Sequence, residues 1–170
     1  MCMLAADRRE TTGMDEEPDA GSTDVDRATP EERNRLQFAA LPYRVAAEGG
    51  LEILLITSRS TRRWIIPKGW PMGKRPAHKV AAQEAAEEAG VEGKIGKRAI
   101  GSYHYDKVLS TGAVARCRVE VYALEVRRQN SAWPERKRRE RRWMDVAEAA
   151  TLIDDVELAP LIRGFAPPAG

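Results

Sequence analysis

The sequence predicts an α+β domain from the order of its segments. Apolar, strand-like segments come first, an alanine-rich helical segment follows the third of them, and further strands and a terminal helix complete the chain. Strands and helices that are grouped in this way are typical of helices packed on a sheet. At 170 residues the chain is long enough for one domain with a substantial core.

Three strands are predicted before the helix, from runs of apolar residues bounded by turn signals. They cover residues 36–47, 51–58 and 64–66, and Gly49-Gly50 marks the turn between the first two. Pro42 lies inside the first strand. Because proline has no N–H to donate, it predicts an irregularity or an edge position there.

The helix is predicted between Pro76 and Gly90. Pro76 suits the first helical position, and Gly90 suits the left-handed residue just after the last turn. The alanines between them favour a helix and leave little bulk on its surface. We therefore expect this helix to approach the sheet or a neighbouring loop closely.

The second half of the chain returns to strands. Residues 94–105 have strand character, with Gly96 and Gly101 as expected bulges or close approaches. A clear strand at 115–127 alternates Cys117, Val119, Val121 and Ala123 with Arg116, Arg118, Glu120 and Tyr122. The remaining predicted elements are a polar loop at 129–141, a short strand at 142–144, and helices at 146–153 and 156–165.

The composition favours a cytoplasmic protein. Cys2 and Cys117 are too few and too far apart for a disulfide framework or a cysteine metal motif. No apolar run approaches the length of about 18 residues expected of a membrane helix, so no membrane partner is predicted. The first residues are too short an apolar stretch for a signal segment.

The charge is unevenly distributed, although the net charge is only +2. Residues 1–34 hold ten acidic and four basic side chains, which leaves +8 on the rest. With few large apolar residues, this segment predicts a disordered acidic tail, followed by a folded domain at 35–166 and a short tail at 167–170. A tail that visits the basic mouth of the site as a pseudosubstrate is an alternative.

Three glutamates on the predicted helix are the strongest functional signal. Glu84, Glu87 and Glu88 stand at i, i+3 and i+4, which places them on one helix face. Like charges at this spacing repel, and a hard divalent cation such as Mg²⁺, with Mn²⁺ as an alternative, would compensate them. A solvated acidic face is the simpler alternative for the glutamates alone. Lys68 and the cations in the loop between Lys68 and the helix favour a site for a metal-bound polyphosphate.

These residues resemble the Nudix box. Gly69, Glu84-Ala85 and Glu87-Glu88-Ala89-Gly90-Val91 fit that pattern without a gap. Arg75 and Gln83 depart from it, since the family has a glutamate and an arginine there that tend to pair with each other. With both partners changed, we expect this brace to be lost or rebuilt.

The resemblance implies an α/β/α sandwich around a mixed sheet and a Mg²⁺-dependent hydrolase of phosphorus-containing anhydrides. It also implies that Glu84, Glu87 and Glu88 are the metal ligands and catalytic carboxylates. A further carboxylate is expected after the box, at Glu140 in the basic run 136–142, with Glu120 as a competitor. One of the triad, Glu88 for example, or Glu140 would be the general base.

Outside the box, 54–58, 63–67, Trp133-Pro134-Glu135 and Trp143-Met144 are similar to the diphosphoinositol polyphosphate phosphohydrolase branch. The resemblance spans about residues 36–165. Pro67-Lys68-Gly69-Trp70 departs from the usual Pro-Gly-Gly of that branch. The candidates for binding substrate phosphates or closing the pocket are Arg44, Arg59, Arg62, Arg63, Lys68, Gly69, Trp70 and Arg118.

The sequence thus predicts a metal-dependent pyrophosphohydrolase for a highly phosphorylated small molecule. Diphosphoinositol polyphosphates and diadenosine or nucleoside polyphosphates are the expected substrates. A degenerate domain that senses a nucleotide or inositol phosphate without cleaving it is an alternative, as is an enzyme or binder for RNA 5′ ends that uses the run 136–142. The sequence carries no indication of the oligomeric state.

Overall fold

The protein is described here by a computed structural model, which covers residues 35–168. The described part contains eight strands and three helices. The strands are β1 (Leu36–Val45), β2 (Leu51–Thr57), β3 (Trp64–Ile65), β4 (Lys68–Gly69), β5 (Val91–Ile95), β6 (Gly101–Val108), β7 (Val114–Gln129) and β8 (Arg141–Asp145). The helices are α1 (Ala77–Glu84), α2 (Val146–Leu152) and α3 (Leu158–Arg163), and a π-helical turn (Ala85–Ala89) continues α1.

The sheet is mixed and centres on β1 and β7. These two strands run parallel, whereas β2 and β4 pair antiparallel with β1, and β5 and β6 pair antiparallel with β7. The short β8 extends the sheet beyond β2. This mixed sheet with few helices confirms the predicted α+β class.

The two faces of the sheet carry separate cores. Alternation along β1 turns Phe38 and Ala40 towards α1, and Ala39 and Leu41 towards α2 and α3. Apolar residues of α1, such as Val80, pack in the first core, and those of α2 and α3 pack in the second. The arrangement is the predicted α/β/α sandwich.

Pro42 marks an irregularity, as predicted, but on a central strand and not on an edge. The strand β1 pairs with β4 through Phe38 and Ala39, and with β2 from Tyr43 onwards. Pro42 falls between these two stretches, where no antiparallel partner needs its missing N–H.

Other elements differ in detail from the prediction. The single strand predicted at 94–105 is two strands, β5 and β6, and a bulge falls between Glu92 and Gly93. The close approach predicted at Gly101 is confirmed, since a Cβ there would lie 2.2 Å from Leu161 Cδ1. A Cβ at Gly93 would lie 1.8 Å from the Glu125 carbonyl oxygen, so this close approach requires glycine. On β7, Glu120 and Tyr122 are buried and not solvent-facing, because α1 covers their face of the sheet.

The helix boundaries are close to those predicted. Pro76 precedes the first helical residue by one position, and Gly90 adopts the left-handed conformation with φ 65°. The π-helical turn between them was not predicted. The acidic segment 1–34 and residues 169–170 lie outside the described part of the chain. The predictions of a disordered acidic tail at 1–34 and of a short C-terminal tail at 167–170 are therefore not tested. None of the helices in residues 35–168 has the length and apolarity needed to cross a membrane.

Candidate active site

The three predicted glutamates lie where α1 passes into the π-helical turn. Glu84 is the last residue of α1, and Glu87 and Glu88 lie in the wide turn. Glu84 and Glu88 both contact β4, which follows the short strand β3. The small side chains of Ala81, Ala85 and Ala89 are fully buried. Their lack of bulk lets the helix approach the sheet closely, as expected.

Glu84 lies directly against the backbone of Gly69. A Cβ placed on Gly69 would be only 2.0 Å from the Glu84 Oε1 atom, so any larger residue there would displace the carboxylate. Burial, together with the charges of Glu88, Glu87 and Glu135, raises the pKa of Glu84 to about 7. This carboxyl is therefore poised between its two protonation states near neutral pH.

Glu88 is fixed through both of its oxygens. Its Oε2 atom accepts a hydrogen bond of 3.1 Å from the Lys68 backbone N–H, and its Oε1 atom accepts one from the Arg139 guanidinium. Burial raises the pKa of Glu88, while the Arg139 charge and the Lys68 N–H oppose that rise. The two anchors hold the carboxylate plane in one orientation.

Arg139 connects the helix to the loop between β7 and β8. Its Nε donates to Glu135, its Nη2 donates to Glu88, and its Nη1 donates to the Thr57 carbonyl oxygen at 3.0 Å. Arg139 is only 8% exposed, and a cation is rarely buried so deeply without carboxylate partners. The structure thus brings a fourth carboxylate, Glu135, to the cluster.

The loop and the start of β8 also cap the end of the helical segment. Nη1 of Arg141 donates to the Ala89 carbonyl oxygen at 2.8 Å, and its Cζ stacks 3.8 Å from the centre of the Trp133 ring. The Glu135 N–H donates to the Glu87 carbonyl oxygen at 3.2 Å. These contacts satisfy carbonyls that a helix end leaves without intrahelical partners. Hydrogen bonds therefore join the loop and the start of β8 to the helical segment that carries the glutamates.

Glu87 takes part in a different network. Its Oε1 atom accepts a hydrogen bond of 2.8 Å from Gln83 Nε2, and Gln83 Oε1 accepts one from Arg75. The two residues that depart from the box pattern are thus paired with each other. Of the two outcomes predicted for the brace, the structure shows that it is rebuilt.

Several predicted phosphate-binding residues lie at or near this cluster. Lys68 is half-buried with its Nζ 5.0 Å from the centre of the Tyr105 ring, and burial lowers its pKa against the opposing charges of Glu88 and Asp155. Arg59 Nη1 lies 3.7 Å from Glu135 Oε1. Trp70 follows Gly69 and is 37% exposed, beneath the Lys107 ammonium.

Two other predicted residues lie elsewhere. Arg44 pairs with Glu52 at 2.6 Å, at the opposite end of β2 from Thr57, a separation of about 16 Å at the usual rise per residue. Arg118 lies 3.6 Å from the buried Glu120 on the face of the sheet that α1 covers. Arg44 is thus distant from the cluster, and Arg118 pairs with a glutamate outside it.

The remaining candidates line the edge of the site. The Glu140 carboxylate pairs with Arg62, and both side chains are exposed. Arg63 Nε contacts Thr61 Oγ1 at 3.3 Å. Glu120 accepts a hydrogen bond of 2.9 Å from the Tyr122 hydroxyl and does not contact the triad. Glu135 thus lies in the cluster, whereas Glu140 and its competitor Glu120 pair with other residues, and the expected role of Glu140 stays a prediction.

The carboxylates fit a divalent cation by their chemistry, and two of them have other partners in this structure. Within residues 35–168, no three His, Cys, Asp or Glu side chains converge closely enough to hold one metal ion. Arg139 and the Lys68 N–H engage Glu88, and Gln83 engages Glu87. The carboxylate oxygens are hard donors of the kind that Mg²⁺ prefers.

Three residues of the site were not assigned from the sequence. Glu135 and Arg139 belong to a segment read as a polar loop, and Asp155, whose pKa burial raises, interacts with Lys68 from the α2–α3 connection. The signal for the first two was their i, i+4 spacing, since a helical turn joins Glu135 to Arg139. Asp155 carries no comparable signal.

Comparisons with known proteins identify the family. No family model matches the chain. Nudix hydrolase 12, mitochondrial, of Arabidopsis thaliana is 32% identical over 145 residues, which cover 76% of this chain and 71% of the relative. Nudix hydrolase 16, mitochondrial, of the same plant is 32% identical over 134 residues, with coverage of 70% and 72%.

Solved structures show the same fold at lower identity. A Caenorhabditis elegans Ap4A hydrolase binary complex superposes with a TM-score of 0.56 at 20% identity, covering 75% of this chain and 92% of that one. The NUDIX domain of Shewanella oneidensis NrtR complexed with ADP ribose gives a TM-score of 0.56 at 14% identity, covering 75% and 85%.

The sandwich with a glutamate-bearing helix against β4 defines a protein of the Nudix fold. At the identity and coverage of its plant relatives, the chain belongs to the Nudix hydrolase family. The predictions of this family and of a hydrolase are confirmed. Assignment to the diphosphoinositol polyphosphate branch stays a prediction.

Proposed function

We propose that the protein is a divalent-metal-dependent pyrophosphohydrolase that cleaves a diphosphate linkage in a highly phosphorylated small molecule. The observation that carries the proposal is the charge arrangement around Glu84 and Glu88. Four carboxylates, Glu84, Glu87, Glu88 and Glu135, are accompanied by three cations, Lys68, Arg59 and Arg139. Negative charge therefore remains when all four are ionised, which suits a metal that is itself bound to phosphate.

Glu84, Glu87 and Glu88 would hold the metal, with Mg²⁺ as the expected ion and Mn²⁺ as an alternative. When bound, such an ion polarises a phosphorus-bound oxygen and lowers the pKa of a water molecule. Lys68 and Arg59 lie on the cationic side of the cluster and would stabilise the charge on the phosphate oxygens. We propose Glu135, in place of Glu140, as the loop carboxylate that accepts a proton, with Glu88 as its competitor.

The substrate is proposed from charge and from the relatives. The domain outside residues 1–34 carries +8, which favours a densely anionic substrate. One structural neighbour is an Ap4A hydrolase and another binds ADP ribose, so we include diadenosine polyphosphates beside diphosphoinositol polyphosphates. A cytoplasmic location and the absence of a membrane partner stay predictions.

The test is a substrate panel assayed with Mg²⁺ and with Mn²⁺. It contains diphosphoinositol polyphosphates, diadenosine polyphosphates, ADP ribose, nucleoside triphosphates and 5′-triphosphorylated RNA, with the attacked phosphorus mapped in each product. Binding without turnover would favour the sensor, and preferential cleavage of RNA ends would favour the RNA alternative.

Variants then connect the activity to the cluster. Glu87→Gln and Glu88→Gln should each lower kcat about a hundredfold or more, the scale of one general-base or electrostatic contribution. Glu148→Gln is the control, because Glu148 pairs with Arg142 on the exposed side of α2. Activity within threefold of wild type for both cluster variants would refute the assignment.

A further inference from the structure

Arg139 is a buried cation at the centre of the carboxylate cluster. Its side chain is almost completely enclosed, and each of its three nitrogens donates a hydrogen bond, to Glu135, Glu88 and the Thr57 carbonyl oxygen. The planar guanidinium presents its donors in a fixed geometry, so these three partners hold it in one place. Arg139 therefore contacts the end of β2, the π-helical turn and the loop at once.

The two carboxylates that it bridges come from different segments. Glu88 belongs to the π-helical turn and Glu135 to the loop, and Arg139 donates a hydrogen bond to each of them. Without a cation between them, these groups would repel each other in a partly buried site. Arg139 supplies that positive charge in the protein described here.

We propose that Arg139 is the internal counter-cation of the cluster, which holds Glu88 and Glu135 together when no metal is bound and competes with a divalent cation for them. The inference rests on the proposed metal-dependent function. It makes Arg139 a positioning residue, because it acts through the two carboxylates. The competition has two causes: Arg139 uses a Glu88 oxygen that a metal would also need, and its charge repels a second cation nearby.

The test measures metal binding directly. Arg139→Gln removes the charge, and Arg138→Gln is the matched control, since Arg138 is the preceding residue, is exposed and carries the same charge. Mn²⁺ and Mg²⁺ are titrated calorimetrically into wild type and each variant, and thermal unfolding is followed with and without metal. We expect Arg139→Gln to bind metal about tenfold more tightly and to gain more in Tm from metal than wild type.

Arg139→Lys keeps the result interpretable if the glutamine variant does not fold. Lysine retains the charge but lacks the planar fork, so it cannot bridge both carboxylates in the same way. We expect it to bind metal about two- to fivefold more tightly than wild type, with Arg138→Gln unchanged.

The outcomes separate the inference from the function on which it rests. Unchanged or weaker metal binding in both Arg139 variants, with normal binding by wild type, overturns the counter-cation role and leaves the proposed function standing. An equal gain in Arg138→Gln also overturns it, because loop charge alone would then explain the effect. Failure of wild type itself to bind Mn²⁺ or Mg²⁺ overturns the proposed function.

Discussion

Substitution of Gly69 by alanine tests whether the position of Glu84 sets metal affinity. The new Cβ would lie 2.0 Å from Oε1 and 2.2 Å from Cδ of Glu84. Carbon atoms normally approach to about 3.5 Å, so the carboxylate must move by roughly 1.5 Å. Its side chain can rotate away without disturbing the backbone, and we therefore expect a loss of at most about 1 kcal/mol in the free energy of unfolding.

Metal binding should respond far more strongly than stability. A functional constellation tolerates displacement of about 0.5 Å, so moving one ligand by three times that distance should weaken Mg²⁺ binding about 10- to 100-fold. Titration calorimetry measures the affinity, and thermal unfolding checks the fold.

Gly50→Ala is the control for this experiment. It adds the same methyl group at a glycine with no atom within 4 Å, so neither affinity nor stability should change much. Mg²⁺ binding by Gly69→Ala within threefold of wild type would refute the reasoning. So would an equal loss of affinity in the control.

Three further predictions concern the brace, the pH response and the end of the helix. Arg75→Glu with Gln83→Arg should preserve the pairing, so the double variant should match wild type in urea unfolding. Each single change should lower the free energy of unfolding by about 0.5 to 1 kcal/mol. Unfolding of the double variant would contradict the pairing. The pKa of Glu84 rises from 4.5 to about 7 on folding. Its contribution to the free energy of unfolding of the metal-free protein is therefore complete below pH 4.5 and is lost as the pH rises through 7. Allowing for solvent screening of a half-buried group, stability should fall by about 1 to 2 kcal/mol over that range, and an unchanged slope in Glu84→Gln would oppose this origin. Gly90→Ala should lower the free energy of unfolding by about 2 kcal/mol or more, because φ is 65° and the Cβ would lie 2.7 Å from Trp133 and Arg141. Gly112→Ala is the control, since φ is 83° but the space around it is open, and it should lose only about 1 kcal/mol from backbone strain. Equal losses in the two glycine variants, measured by thermal unfolding, would show that the contacts contribute nothing.

The features predicted correctly are those that depend on neighbours in the sequence. Glu84 and Glu88 follow from helical spacing, and the left-handed Gly90 follows from its place after the last turn. A local rule was sufficient for these residues. For Arg75 and Gln83 the prediction left open whether the brace is lost or rebuilt, and the structure pairs them.

The features that were missed depend on contacts between distant segments. Arg139 and Glu88 are 51 residues apart, and the run of basic residues at 136–142 gives no indication of which cation turns inwards. A single helical turn between Glu135 and Arg139 determines which cation is buried. It directs both side chains to the cluster and leaves Glu140 at the surface. The structure thus brings Glu135, five residues before the expected Glu140, to the cluster, and the role of Glu140 stays a prediction.

The backbone conformation of the π-helical turn at Ala85–Ala89 determines how Glu87 and Glu88 are placed relative to Glu84. In a regular α-helix each residue advances by about 100° and 1.5 Å, and a wide turn changes that rotational phase for whatever comes after it. Deleting one residue at Ala85 would let the turn close to a regular α-helix and bring Glu87 and Glu88 one residue nearer in sequence to Glu84. Such a deletion would leave every acidic side chain in place in the sequence and change only the backbone that carries it.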